Sequence, residues 1–222
     1  LIGFKIGGLK LSLTIVASFL FITFTGVLPQ ALLSIYLCGI AVIISFILGS
    51  SLGIWAAHND KVSAFMRPIN DTMQTMPSFV ILIPFVMFFG IGEFTALLAI
   101  IAYAFVPAMR YTEHGLRNLP ETVIEAARMI GCSQTQLLWK VKIPLAMPVI
   151  MLGLNQTIMF GLAMLVIAAL VGTTGLGQLI YIGLSKADFG TGMISGVSIA
   201  LIAIIFDRTT QAWRIKLEKK TQ

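Results

Sequence analysis

Two long stretches of this chain carry no ionisable side chain. Residues 11–57 and 143–185 contain no Asp, Glu, Lys, Arg or His. A helix that crosses a bilayer needs roughly 20 mostly apolar residues, so the first stretch holds two spans and the second holds at least one. Punctuation by Gly, Pro and charge gives six predicted spans, at 9–28, 31–57, 72–90, 94–110, 144–171 and 192–213. The turn Gly26-Val27-Leu28-Pro29-Gln30 divides the first run, and Gly90-Ile91-Gly92-Glu93 divides the third span from the fourth. A membrane β-barrel would alternate apolar and polar residues instead. The pattern predicts an all-α polytopic membrane protein whose residues 1–222 form a single transmembrane domain.

Small residues recur every four positions in three of these spans: Ser45, Gly49, Gly53 and Ala57; Gly153, Thr157 and Gly161; Gly192, Gly196 and Ala200. Such ridges let helix backbones approach closely in lipid, where packing rather than apolar burial drives association. They predict helix contacts and no chemistry. Pro77 and Pro84 interrupt the third span and Pro107 the fourth. Each removes a backbone hydrogen bond and is expected to kink its helix.

Composition agrees with the pattern. The chain is 58% hydrophobic and 11% charged, against about 25% charged in a soluble domain. The N-terminal run lacks a small-residue cleavage pattern and reads as a span; Leu1 in place of Met leaves an upstream segment open. Charge sets the sidedness. Six spans put both termini and two of the loops on one side, and that side receives 14 of the 15 Lys and Arg residues, all but Lys186. Cytoplasmic loops collect Lys and Arg, so both termini are expected in the cytoplasm. The net charge of +6 then reflects topology and contact with anionic lipid, not nucleic acid. Cys38 and Cys132 have no paired spacing and no nearby His, so neither a disulfide nor a metal site is predicted.

One polar island stands out, at residues 115–143. Pro120-Glu121 is a favourable helix start, and Gly131 stands where a helix stops. Ser133 followed by Gln136 makes a capping box for a second helix, which runs toward Lys142 and meets Pro144 at the start of the next span. The island therefore reads as helix, glycine turn, helix. DNA-reading modules share that outline, but this hairpin is tethered to spans at both ends. It also lacks a basic face, since Glu121 and Glu125 balance Arg128, Lys140 and Lys142.

The island also resembles the EAA signature of binding-protein-dependent ABC-importer permeases. Glu125-Ala126-Ala127, three residues, Gly131, nine residues, then Val141-Lys142-Ile143-Pro144 keeps that pattern's spacing, with Val and Ile standing where the family has Ile and Leu. Further stretches resemble the glycine betaine/proline betaine branch over about residues 40–212: Met73 to Phe79, Phe89 to Gly92, Ile143 to Pro148, Asn155-Gln156-Thr157 and Gly175 to Gln178. The resemblance implies a MetI-like bundle with a cytoplasmic coupling hairpin. Glu125, Ala126, Ala127, Gly131 and Ser133 would dock two cytoplasmic ABC ATPase subunits, which would bind the ATP and Mg. It further implies a bacterial inner-membrane location and a second permease copy. A periplasmic or extracellular binding protein would meet residues 172–190, which composition alone reads as a Gly-rich loop.

The residues support this independently. No Gly-x4-Gly-Lys-Ser/Thr phosphate loop is present, and no titratable group lies deep in a span, where proton-coupled carriers keep their relays. Energy is therefore expected from a separate subunit, and no catalytic residue or cofactor is assigned to this chain. Gln74, Thr75, Asn155, Gln156 and Thr157 are the polar candidates for lining a substrate path; interhelical hydrogen bonding is the alternative for each. Choline, carnitine or trimethylamine N-oxide would suit the same class of importer. Two other readings have less support. Gly49-Ser50-Ser51-Leu52-Gly53 matches the G-x-S-x-G elbow of serine hydrolases, but His58 and His114 fall at the membrane margin. An ATP-independent channel or carrier leaves the hairpin without a role.

Overall fold

A computed structural model describes residues 2–221. In chain order the helices are α1 (Ile2–Phe24), α2 (Leu28–His58), α3 (Asp60–Thr75), α4 (Ser78–Phe89), α5 (Glu93–Arg117), α6 (Glu121–Met129), α7 (Gln134–Gln136), α8 (Ile143–Ala168), α9 (Leu176–Ser185) and α10 (Phe189–Thr221). No strand is present among the described residues.

Among the described residues four helical segments are long and apolar enough to cross a membrane: Leu28–His58, Glu93–Arg117, Gln134–Val171 and Phe189–Leu217. The other two predicted spans are realised differently. Span 9–28 becomes a shorter apolar helix, Leu11–Phe24, beyond a kink at Gly8. Fourteen residues rise only about 21 Å, less than a hydrocarbon core of about 30 Å. Span 72–90 is broken. α3 and α4 meet at 102°, with Pro77 at the break, where it holds an extended conformation and caps α4. Residues 60–75 are amphipathic and carry Lys61, Arg67 and Asp71, so α3 cannot be the inner half of a straight span. Pro84 and Pro107, by contrast, sit inside continuous helices. Pro107 is buried.

The bundle is organised around α5, with α2 and α8 packed along it. The ridge in α2 makes this approach possible. A Cβ on Gly49 would lie 2.5 Å from the Phe105 carbonyl oxygen, and one on Gly53 would lie 2.6 Å from that of Met109. In α8, Gly153 meets Tyr111, and Gly161 meets Val42 and Cys38. The core is filled by Ala41, Val42, Ala99, Ile100, Leu162 and Leu165. Opposite faces of α1, α2, α4 and α10 present Leu13, Phe19, Ile43, Met87, Phe88 and Met193 outward, as helices bathed in lipid must. Beyond Gly192, the ridge in α10 is out of phase with this packing. Ser195 and Ser198 face inward, whereas Ala200 is exposed and nothing lies within 4 Å of a Cβ on Gly196.

Two sets of contacts mark opposite ends of the bundle. At one end α2 and α5 are joined by Arg117, whose guanidinium donates to the Ala56 carbonyl (2.7 Å) and pairs with Asp60 (2.8 Å). At the other end the Leu176 amide donates to Ser34 Oγ (2.9 Å), and the Thr174 hydroxyl donates to the Glu93 carboxylate. The stretch 172–190, expected as a loop, contains helix α9, whose Gly183 lies backbone to backbone against Gly192 of α10.

Candidate functional site: a projecting hairpin and a polar cleft

The hairpin lies at the Arg117 end. α6 stops where the sequence places its stop. Gly131 has φ of +88°, a region that L side chains rarely adopt, and the Cys132 amide returns to the Ala127 carbonyl (3.2 Å). The capping box also forms. Ser133 Oγ accepts from the Gln136 amide (3.3 Å), and Gln136 Oε1 accepts from the Ser133 amide (3.0 Å). The second arm does not end at Pro144. α7 runs through a π-helical stretch, Leu137–Lys142, into α8 without a break. The Ile143 amide reaches back five residues to the Leu138 carbonyl, just before Pro144, which has no amide hydrogen to contribute. The second arm of the hairpin is therefore a continuous extension of a spanning helix.

Burial sorts the EAA residues. Glu125, Ala126, Gly131 and Ser133 are exposed. Ala127 is buried (8% exposed) and so packs inside the hairpin instead of presenting a docking face, together with Leu137 of the second arm. The tip carries two residues absent from the sequence prediction: Met129 and Ile130 are 89% and 84% exposed. Two bare apolar side chains at the end of a polar projection are an anchor of the kind that fills a partner's pocket. The signal is present in the sequence as Arg128-Met129-Ile130-Gly131, two adjacent apolar residues inside the polar island. At its base, Leu116, Leu119, Ile143, Ala146 and Ile150 form a small second core with Phe46 and Ile54 of α2.

Beside the base, α3 and α5 enclose an open polar cleft of about 670 Å³. Arg67, Asp71 and Gln74 of α3, spaced i, i+4 and i+7, face Arg110, Tyr111, His114 and Arg117 of α5. Arg110 forks onto the Asp71 carboxylate and the Gln74 amide oxygen. Deeper, Glu113 accepts from Ser63 (2.5 Å) and pairs with Arg117 (3.0 Å). This polar seam ties the oblique helix α3 to the arm that leads into the hairpin.

The remaining path candidates separate from one another. Gln74 lines the cleft. The Thr75 hydroxyl donates to the Asp71 (3.0 Å) and Thr72 (3.1 Å) carbonyls of its own helix. Asn155 is buried and joins α8 to α10, donating to Asp207 (2.9 Å) and accepting from Thr210 (2.5 Å). Thr157 is fully buried and bonds to the Gly153 carbonyl (2.8 Å). Gln156 is half-buried on the same helix. Asn155 thus follows the interhelical alternative, whereas Thr157 bonds within its own helix. Ser51, of the G-x-S-x-G stretch, bonds to the Ile47 carbonyl of its own helix (2.7 Å) while Gly49 and Gly53 pack on α5.

Residues 49–212, which include the α2 ridge from Gly49 onward, the cleft, the hairpin and most of α10, match the family described as the binding-protein-dependent transport system inner membrane component. The chain belongs to that family. It is 41% identical over 212 residues to the glycine betaine/proline betaine transport system permease protein ProW of Escherichia coli (strain K12), covering 96% of this chain and 60% of that protein. It is 43% identical over 218 residues to the trimethylamine N-oxide transport system permease protein TmoV of Pelagibacter ubique (strain HTCC1062), covering 98% of this chain and 30% of that one. The chain therefore spans less than two thirds of the length of either relative. Its fold is similar to that of the inward-facing MetNI methionine ABC transporter (native crystal form), with a TM-score of 0.75 at 18% identity over 86% of this chain and 95% of that one. That likeness concerns the fold alone.

Proposed function

We propose that this chain is the membrane-spanning, non-catalytic subunit of an ATP-driven importer for a small methylated amine that carries a negatively charged oxygen, glycine betaine being the leading candidate. The observation that carries the reading is the hairpin: the EAA spacing is intact, and the segment it specifies stands clear of the bundle with Glu125, Met129 and Ile130 exposed. On this reading two separate ATPase subunits bind ATP and Mg and grip the hairpins of two copies of the chain. A binding protein delivers substrate at residues 172–190, the opposite end. The hairpin faces the cytoplasm with both termini, as the placement of 14 of 15 basic residues favours. The substrate class rests on the two relatives above. Trimethylated nitrogen joined to an anionic oxygen is common to glycine betaine and trimethylamine N-oxide.

The stiffness of the second arm gives the reading a mechanism. A displacement imposed at Met129 and Ile130 passes through a continuous helix into α8, and through Leu116 and Leu119 into α5. Glu125→Lys is expected to leave the spans folded and to abolish assembly with the ATPase or its stimulation by substrate. Wild-type stimulation in that variant would overturn the assignment. In intact cells Cys132 is expected to resist a membrane-impermeant maleimide. Screening methylated amines for stimulation of the purified complex with its binding protein identifies the cargo.

A further inference from the structure

We propose that the cleft between α3 and α5 is a release site for the transported zwitterion, in which Arg110 takes the substrate's carboxylate in exchange for Asp71. The inference rests on the proposed function and names the residues that meet the cargo at the hairpin end. A carboxylate is held best by a planar fork of N–H donors, which arginine supplies and lysine does not. Arg110 is already posed for this: its two terminal nitrogens are engaged by the Asp71 carboxylate and the Gln74 amide oxygen. Asp71 meets one of these nitrogens and Gln74 the other, so an incoming carboxylate that displaces both partners would span the fork. The pair is also easy to displace. The side chains of Arg110 and Asp71 are 40% and 59% exposed, and ion pairs so open to water contribute little net stability.

The rest of the cleft suits the other end of the molecule. A trimethylammonium donates no hydrogen bond and is held by an aromatic face and by nearby negative charge. Tyr111 lines the cleft next to Arg110, its Cβ seated over Gly153. Arg67 and Arg117 leave the cleft with one more Arg than carboxylate, counting Asp71 and Glu113. Arg117 is committed to Asp60, Glu113 and the Ala56 carbonyl, and of the other two, Arg67 and Arg110, Arg110 is the one already posed on a carboxylate.

The test is equilibrium binding of radiolabelled glycine betaine to the purified permease–ATPase complex in nanodiscs without the binding protein. Saturable binding is expected in the wild type. Arg110→Gln should weaken it at least tenfold. Asp71→Asn should tighten it several-fold, because the internal competitor is removed. Choline, which has the ammonium but no carboxylate, should respond to neither change. A purely structural role for the pair predicts that both variants shift betaine binding in the same direction, and that result would overturn the proposal. So would absence of saturable binding in a wild-type complex that imports betaine, or occupancy that follows the anionic lipid content of the nanodisc instead of added betaine. Should Arg110→Gln fail to assemble, Arg110→Lys, which keeps the charge and loses the fork, is expected to show intermediate weakening. A wild-type complex that imports no methylated amine removes the proposed function and the release site together. One that imports it while the two variants fail to diverge removes only the release site.

Discussion

Between Glu121 and Lys142 only Ala127 and Leu137 are buried, whereas the segment from Gly172 to Gly190, at the other end of the bundle, buries Thr173, Gly175, Leu176, Gly177 and Gly183. Both connect apolar helices and both are about twenty residues long. The first is anchored at its base and bare at its tip. The second is pinned down from Thr174 to Gly183: Leu176 to Ser34, Thr174 to Glu93, and Gly183 against Gly192. A segment that must be gripped keeps its side chains outside. A segment that closes one end of a bundle spends them on the bundle itself. Stability and function should therefore separate between the two, and mutations can test that separation.

The largest expected effect is at the pinned end. Gly175 has φ of +128°, and a Cβ there would lie 2.6 Å from Ser34 Oγ. Gly175→Val combines backbone strain with a clash and is expected to cost about 3 kcal/mol, read as a drop in thermal stability of the detergent-solubilised chain. ATPase binding at the far hairpin should survive in whatever fraction remains folded. Next comes the bare end. Met129→Asp with Ile130→Asp should leave the melting temperature unchanged, since both side chains are already in solvent. The same change should weaken ATPase binding about 100-fold, or about 2.7 kcal/mol. If the double variant melts early, or Gly175→Val does not, the contrast between the two segments is wrong.

A smaller effect sharpens the comparison. Ser34→Ala removes the acceptor for the buried Leu176 amide (2.9 Å), and an orphaned buried donor costs about 1–3 kcal/mol. The loss should appear as faster amide exchange in α9 with no change in ATPase affinity. An unchanged exchange rate would mean that packing of Leu176, which is fully buried, holds the segment without the hydrogen bond.

How much of this was legible beforehand follows from the range of each interaction. The hairpin's turn and cap are local: Gly131 supplies its own positive φ, and Ser133 and Gln136 find each other three residues apart. The α2 ridge was legible because a four-residue period of small side chains is a property of one helix. The α10 ridge had the same period, but beyond Gly192 it has the wrong phase. Which face turns inward is decided by neighbouring helices, and there Ser195 and Ser198 occupy the packed side. The break at Pro77 was foreseen only as a kink. Residues 60–71, which fall between two predicted spans, look like a loop until Ser63, Asn70 and Asp71 meet Glu113, Met109 and Arg110, partners 39 to 50 positions away. The polar cleft was invisible for the same reason. α9 was hidden by its glycines: Gly177 and Gly183 look like loop residues, yet each allows a close contact with α8 or α10.

The smallest prediction concerns Asp188, just before α10. Its carboxylate accepts from the Thr191 amide (3.2 Å) and hydroxyl (2.7 Å). The hydroxyl bond first, then the amide, holds its pKa below the ordinary 3.8. A lowered folded-state pKa means that the folded chain binds this proton less tightly than the unfolded chain. The cap therefore contributes in full above pH 3.8, and its contribution disappears as pH falls through the lower, folded value. Between about pH 5 and 8 this group should leave stability unchanged. Asp188 is fully exposed, so Asp188→Ala should raise amide exchange at Thr191 and Gly192 while the melting temperature stays with the wild type. A melting drop approaching that of Gly175→Val would place Asp188 among the pins of the closed end, and the boundary between what holds that segment and what merely finishes a helix would have to move past residue 188.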